Sequence, residues 1–149
     1  MFDPLHLDGP LDGVSTVEVR TSASAALIPT IRAIASDLAA RADFDLDAIS
    51  DLRMAVDEAC ATLVDMAAPR SALRCVFRVR PERIQVDAEV QAAEADTVVS
   101  TDTFGWRVLQ TLADEVEVHH ETATDGNRGT VGIRLNKRPA LFGLDGQGR

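Results

Sequence analysis

Between Ile49 and Met66 the chain contains one long run with the apolar spacing of a helix. Its apolar residues lie three or four positions apart and so share one face: Ile49, Leu52, Val56, Ala59, Cys60, Leu63 and Met66. No residue breaks a helix before Pro69, which should end it within a turn. A helix with one apolar stripe buries that stripe against a second layer, and the rest of the chain has to supply that layer.

Segments with the pattern of β-strands lie on both sides of this helix. Five are predicted: Val14–Thr21, Leu73–Arg80, Arg83–Gln91, Val116–Glu121 and Thr130–Lys137. The second and third flank the tight turn Pro81-Glu82 and are predicted to form a hairpin. The last two are separated by the turn-forming residues 125–127.

Two shorter helices complete the set of elements. The first is capped by Ser22 or Ser24 and runs to about Ala42. The last runs from Phe104 to Ala113, is capped by Thr101, Asp102 or Thr103, and has the predicted apolar face Phe104, Val108, Leu109 and Leu112. Trp106 lies off that face, which makes it either an exposed partner anchor or a partly buried core residue. The element order predicts an α/β (α+β) two-layer sandwich, in which three helices cover one face of a mixed, mostly antiparallel sheet.

Length and composition bound the domain organisation. A chain of 149 residues with 46% hydrophobic and 26% charged residues fits one globular domain. Residues 14–138 are predicted to form it. Residues 1–13, rich in Pro and Gly, and residues 139–149, with three glycines and no periodicity, are predicted to be a flexible leader and a flexible tail.

Several classes of function are excluded by the net charge, the aromatic content, the cysteines and the histidines. A net charge of −9 without a basic stripe, together with 4% aromatic residues, argues against nucleic-acid binding and favours a basic protein partner. The N-terminus has no signal-peptide pattern and no apolar run approaches the ~20 residues of a membrane span, so we expect a cytoplasmic protein without membrane contact. Cys60 and Cys75 are predicted to be buried thiols rather than a disulfide. His119 and His120 should point to opposite faces of a strand and so cannot share a metal.

A second face of the long helix carries polar residues. Glu58, Thr62 and Asp65 follow each other at i, i+4 and i+7. A carboxylate and a hydroxyl one turn apart could meet a metal-bound phosphate or a substrate hydroxyl. A solvated polar face is the alternative interpretation.

The segment Leu52–Val64, with Ala-Val-Asp-Glu-Ala-Cys at its centre, resembles the N-box helix of the RsbW/SpoIIAB-type anti-sigma factors. These are small, serine-kinase-like members of the GHKL ATPase superfamily. Phe104–Val116 resembles the family's helix after the ATP lid, and Gly129-Thr130 with the strand that follows is similar to its closing segment. Arg32 matches the arginine in the first helix with which such factors bind protein partners. The resemblance covers about residues 14–138 and implies the Bergerat (GHKL) fold.

The chain departs from this family at the nucleotide boxes. Thr62 stands where the family has the asparagine that holds magnesium. The stretch Val90-Gln91-Ala92-Ala93-Glu94 replaces the adenine-reading Asp-x-Gly-x-Gly box, and Gly105 alone remains of the lid glycines. The resemblance implies that any remaining contacts to ATP are made by Thr62, Asp65, Gly105, Gly129 and Thr130, with Thr62 as the magnesium ligand. We therefore expect ATP and magnesium to bind weakly or not at all.

The resemblance implies an anti-sigma factor that sequesters an alternative sigma factor. A STAS-domain anti-anti-sigma antagonist would release it, Arg32 would contact the partner, and the protein would be a homodimer. One alternative is an ATP-dependent serine kinase that phosphorylates the antagonist, with Glu58 as the general base. Another is a GHKL-like pseudo-ATPase that binds a different regulator. The altered boxes favour a role without catalysis.

Overall fold

The computed structural model describes residues 14–124 and 128–140. The predicted leader, the turn at 125–127 and the tail beyond 140 lie outside these residues. In chain order the elements are β1 (Ser15–Ser22), a 3-10 turn (Ala25–Leu27), α1 (Ile28–Arg41), α2 (Leu46–Met66), β2 (Ala72–Arg80), β3 (Arg83–Gln91), α3 (Phe104–Leu112), β4 (Glu115–Glu121) and β5 (Thr130–Lys137). No described helix is both long enough and apolar enough to span a bilayer.

The five strands form one sheet in the order β1-β2-β3-β5-β4. All neighbouring strands run antiparallel, and β2 and β3 form the predicted hairpin, with Arg80 paired to Arg83. In β3 the residues alternate between buried and partly exposed, which shows that one face is covered and the other is open to solvent. The predicted α+β architecture, an antiparallel sheet with three helices, is confirmed.

Helix α2 packs across the covered face, where it contacts β2, β3 and β5. The side chain of Asp45 accepts a hydrogen bond from the Ala48 N–H and so caps the first turn. Leu52 and Leu63 are fully buried, and Val56 is almost so. Each such side chain stabilises the fold by about 1.5–3 kcal/mol, so the apolar stripe predicted from the sequence is the main attachment of α2.

The two cysteines link α2 to β2 without a covalent bond. Both are buried free thiols, as predicted, and their Sγ atoms lie 3.9 Å apart. The hydrogen bond with Cys75 and burial raise the pKa of the Cys60 thiol well above its usual value. A thiol with a raised pKa is a poor nucleophile, so this pair acts as part of the core.

Helix α1 begins after a short 3-10 turn. Of the two predicted caps, Ser24 is the one used, and its Oγ accepts a hydrogen bond from the Ala26 N–H. Pro29 lies in the first turn of α1, where a missing N–H costs nothing because no helical partner exists.

Helix α3 is rotated relative to the prediction. Thr103 caps it by accepting a hydrogen bond from the Trp106 N–H at 3.0 Å, and Trp106 and Leu109 face the core. Phe104 was predicted to be a core residue, but this was wrong because its side chain is 80% exposed. Residues three and four apart share a helix face, so burying Trp106 and Leu109 turns Phe104 and Val108 towards the surface. The core interpretation of Trp106 is correct.

Candidate functional site

Glu58 projects from α2 onto the first turn of α3. A Cβ atom added to Gly105 would overlap Oε2 of Glu58 and would lie 3.2 Å from its Cδ. A larger residue at position 105 would therefore force the Glu58 carboxylate to move. The N-terminus of a helix carries a partial positive charge, and a carboxylate beside it is stabilised. Glu58 thus lies where an anion is favoured.

Thr62 lies one turn further along α2. Its Oγ1 donates a hydrogen bond to the Glu58 backbone carbonyl at 2.9 Å and lies 3.5 Å from Glu58 Oε2. A hydroxyl has one hydrogen to donate, and the backbone bond uses it. Asp65 follows on the same helix with an exposed side chain. The structure therefore brings Glu58, Thr62 and Gly105 together, with Asp65 at the solvent edge.

Gly129 lies just before β5, and Thr130 is the first residue of β5. Both make backbone contacts with neighbouring segments of the sheet. The Gly129 carbonyl accepts a hydrogen bond from the Ala92 N–H at 2.9 Å, and Thr130 is paired with Glu121 on one side and Gln91 on the other. Within the described residues no hydrogen bond joins either of them to Glu58 or Thr62. These two predicted nucleotide contacts are thus not joined to the Glu58 cluster.

The segment that follows β3 is closed against the end of α2. Val90 and Ala92, at the positions of the resembled adenine box, are buried apolar residues. The Ala93 N–H donates to the Met66 carbonyl, and the Ala68 N–H donates to the Gln91 carbonyl, both at 2.9 Å. Backbone hydrogen bonds therefore join the segment after β3 to the end of α2.

Arg32 reaches from α1 to α2. One of its terminal nitrogens, Nη1, lies 3.1 Å from both carboxylate oxygens of Asp57, the residue before Glu58. The two side chains are 37% and 39% exposed. An ion pair with this exposure contributes little to stability.

A groove runs between α2 and α3. Gly105 at one end of α3 contacts Glu58, and at the other end Lys137 Nζ donates to the Leu112 carbonyl and to Asp51 Oδ2. The two helices therefore run antiparallel. We give the name α2–α3 groove to this cleft together with the adjoining surface of α3. Its lining consists of Met54, Asp57, Glu58, Ala61, Phe104, Arg107, Val108, Thr111 and Leu112.

The α2–α3 groove includes two adjoining cavities that share Val108 and Leu112. One of about 360 Å³ lies between α2 and α3, and one of about 260 Å³ lies on the surface of α3 alone. Sequence reasoning missed it. A signal was present in α3, where Phe104, Val108 and Leu112 recur at i, i+4 and i+8 beside an inward-facing Trp106. A helix that is apolar on two sides has more apolar surface than one core can cover.

A wider groove of about 710 Å³ lies at the opposite end of α2, far from Glu58. Its lining includes Asp51 and Lys137, which pair with each other at 3.1 Å. Asp45 accepts a hydrogen bond from the Ala140 N–H at 2.8 Å beside it. No predicted site residue is among the described residues that line it.

The open face of the sheet carries a cluster around Asp87. Its carboxylate lies 2.8 Å from His119 Nε2 and accepts hydrogen bonds from Arg134 at 2.9 and 3.0 Å. Burial by itself would raise the pKa of Asp87, but the hydrogen bonds and charges of His119 and Arg134 hold it below its usual value. His120 is exposed. Across residues 14–124 and 128–140, no three His, Cys, Asp or Glu side chains are grouped as metal ligands would be.

Comparison with known proteins agrees with this architecture. Residues 21–133 match the histidine kinase-like ATPase domain family. The chain is 36% identical over 137 residues to proteins named anti-sigma-F factor RsbW from two strains of Mycobacterium tuberculosis, CDC 1551 / Oshkosh and ATCC 25618 / H37Rv. The aligned region covers 91% of this chain and 81% of each relative. The chain belongs to the RsbW-type anti-sigma factors of the histidine kinase-like ATPase family.

Proposed function

We propose that this protein is an anti-sigma factor that binds an alternative sigma factor and keeps it from RNA polymerase. The observation that carries this proposal is the similarity to the anti-sigma-F factor RsbW, which extends over nearly the whole chain and includes α1, α2 and α3. Arg32 supports it, because its pair with Asp57 leaves both side chains partly exposed next to Glu58. A STAS-domain antagonist would displace the sigma factor. The protein would act as a homodimer in the cytoplasm, where sigma factors and RNA polymerase meet.

We also propose that sigma binding does not depend on a nucleotide. The carboxylate of Glu58 lies at the N-terminus of α3, which is where a phosphate would otherwise be attracted. Buried Val90 and Ala92 offer no adenine-reading carboxylate. Each lost hydrogen-bond partner costs about 1–3 kcal/mol, so two losses lower affinity by roughly two to three orders of magnitude.

The kinase alternative depends on one residue. Glu58 is half-buried beside the first turn of α3, a position from which a general base could accept a proton from a serine hydroxyl. If labelled phosphate is transferred from ATP to the STAS antagonist, and Glu58→Gln abolishes this transfer, the protein is a kinase and the role without catalysis is wrong. We expect no transfer with either protein.

The nucleotide part of the proposal is tested by thermal unfolding with and without magnesium and ATP. A ligand present at about one hundred times its Kd stabilises a protein by about 2.7 kcal/mol, which is a visible shift in Tm. We expect no shift at millimolar ATP. A clear upward shift would show that the site still holds the nucleotide.

The binding part is tested by calorimetric titration of the full chain with each alternative sigma factor of the source genome. The principal sigma factor serves as the control. One alternative sigma factor should bind and should be released on addition of the STAS antagonist. If none of them binds, the anti-sigma proposal is wrong. In that case a pseudo-ATPase that binds another regulator becomes the better description.

A further inference from the structure

The α2–α3 groove exposes two large apolar side chains to solvent. Phe104, on the surface of α3, is 80% exposed, and Met54, in the cleft between α2 and α3, is 44% exposed. Val108 and Leu112 continue the α3 side at one-turn intervals, and Ala61 continues the α2 side. An apolar strip that runs along two helices is typical of a protein-binding surface.

The acidic groups at the groove indicate the charge of its occupant. Asp57 is neutralised by Arg32, whereas no ion pair joins Glu58 to any Lys or Arg in the described part of the chain. The N-terminus of α3 stabilises the Glu58 carboxylate only in part, so a cation on a bound segment would find an acceptor without an ion-pair partner there. Among the described residues that line the groove, Arg107 alone carries a positive charge, and it lies at the cavity on α3 beside Phe104 and Thr111.

We propose that the α2–α3 groove is the docking site for an amphipathic helix of the sigma factor. The apolar face of that helix would cover Phe104, Val108 and Met54, and a lysine or arginine on its edge would pair with Glu58. This inference rests on the proposed anti-sigma function. It adds the place of binding and the chemistry of the bound segment.

Three features of the groove fit this occupant. From Phe104 to Leu112 the α3 wall is about 12 Å long, which matches roughly two turns of a bound helix. Apolar side chains at one-turn intervals are what a helix lying in a groove recognises. The net charge of −9 favours a basic partner over a second copy of this acidic chain at the same place.

The groove is also continuous with Arg32. Asp57, which lines the same cavity as Glu58, is the residue that pairs with Arg32 on α1. A helix that covers the groove would therefore come close to this arginine. One docking surface could then include both the predicted partner contact and the apolar strip.

The test compares two groove variants with two matched controls in titrations with the sigma factor. Phe104→Ala removes an exposed ring, and its control Leu46→Ala removes a side chain that is 82% exposed at the other end of α2. Glu58→Gln removes the unpaired charge, and its control Glu82→Gln removes an exposed charge at the β2–β3 turn. Because a few residues dominate most interfaces, each groove variant should weaken binding at least tenfold, and each control less than twofold.

A measurement on the unmodified protein covers the case in which a variant fails to fold. Hydrogen exchange of the full chain with and without the sigma factor should show new protection within residues 54–61 and 104–112. Added salt should weaken binding of the sigma factor to the unmodified protein more than to Glu58→Gln. Only the unmodified protein can pair Glu58 with a lysine or arginine of the bound helix, and salt screens that pair.

The outcomes separate this inference from the proposed function. A sigma factor that binds all four variants equally well, without protecting the groove, overturns the docking site and leaves the anti-sigma function standing. Failure of every alternative sigma factor to bind overturns both. If Phe104→Ala instead changes the sedimentation of the protein alone, a second copy covers the groove and the inference is wrong. It is also wrong if the groove variants weaken only binding of the STAS antagonist.

Discussion

Replacing Gly105 with alanine should destabilise the domain through Glu58. The new methyl group would take the place of the Glu58 carboxylate, whose Oε2 is the free end of a flexible side chain. The carboxylate can turn away, at a cost of about 0.5–1.5 kcal/mol for an unfavourable rotamer. It also loses about 0.3–1 kcal/mol of interaction with the N-terminus of α3. The two costs together are about 1–2.5 kcal/mol.

The gain in helix preference offsets part of this cost. Alanine is favoured over glycine inside a helix by up to about 1 kcal/mol, so Gly105→Ala alone should lower the free energy of unfolding by about 0–1.5 kcal/mol. In a Glu58→Ala background nothing obstructs the methyl group. There the same substitution should raise the free energy of unfolding by up to about 1 kcal/mol. The coupling energy between the two positions is then about 1–2.5 kcal/mol.

Urea unfolding of the four proteins measures this coupling. Trp106 is the only tryptophan, is 8% exposed and lies next to Gly105 in the chain, so its fluorescence reports directly on the packing of α3. The midpoints should differ while the slopes stay equal. A coupling energy below about 0.5 kcal/mol would refute the reasoning, because residues in contact couple more strongly than that.

Two further predictions concern ion pairs. Arg32→Ala should lower the free energy of unfolding by less than about 1 kcal/mol, because its pair with Asp57 is more than one-third exposed, yet it should weaken sigma binding. Unchanged affinity in a calorimetric titration would remove Arg32 from the partner surface. Asp87→Asn should cost about 1–3 kcal/mol at neutral pH, because it removes a charged acceptor from His119 and Arg134. The folded-state pKa of Asp87 is lowered, so its stabilisation is complete above the unfolded value of about 3.9 and disappears as the pH falls through the folded value. Chemical unfolding of both proteins from pH 7 down to pH 2 checks this, and a difference that persists at the lowest pH would contradict it.

Most of the fold could be predicted because its elements have strong local patterns. The bounds of β3 and β5 agree with the prediction, since each alternates clearly and is bordered by turn residues. The buried stripe of α2 was also correct, because five turns of regular spacing leave one way to orient the helix. Glu58 and Thr62, which lie four positions apart in the sequence, are also in direct contact in the structure.

The orientation of α3 could not be predicted from its pattern. The pattern of this nine-residue helix allows either Phe104 or Trp106 to face the core, because each orientation gives a continuous apolar face. The cap at Thr103 and the packing against α2 decide between them, and the second of these is a tertiary contact. The closeness of Glu58 to Gly105 has the same origin, because it joins two helices that are far apart in sequence. The open groove beside them follows from that orientation.

Binding of an alternative sigma factor without a nucleotide is the main property that we propose for this chain. Its most direct test is calorimetric titration of the sigma factor into protein freed of nucleotide, repeated with excess magnesium and ATP. We predict binding in both titrations, with the same affinity and stoichiometry. Binding that occurs only when magnesium and ATP are present would contradict the claim, and so would the absence of binding under both conditions.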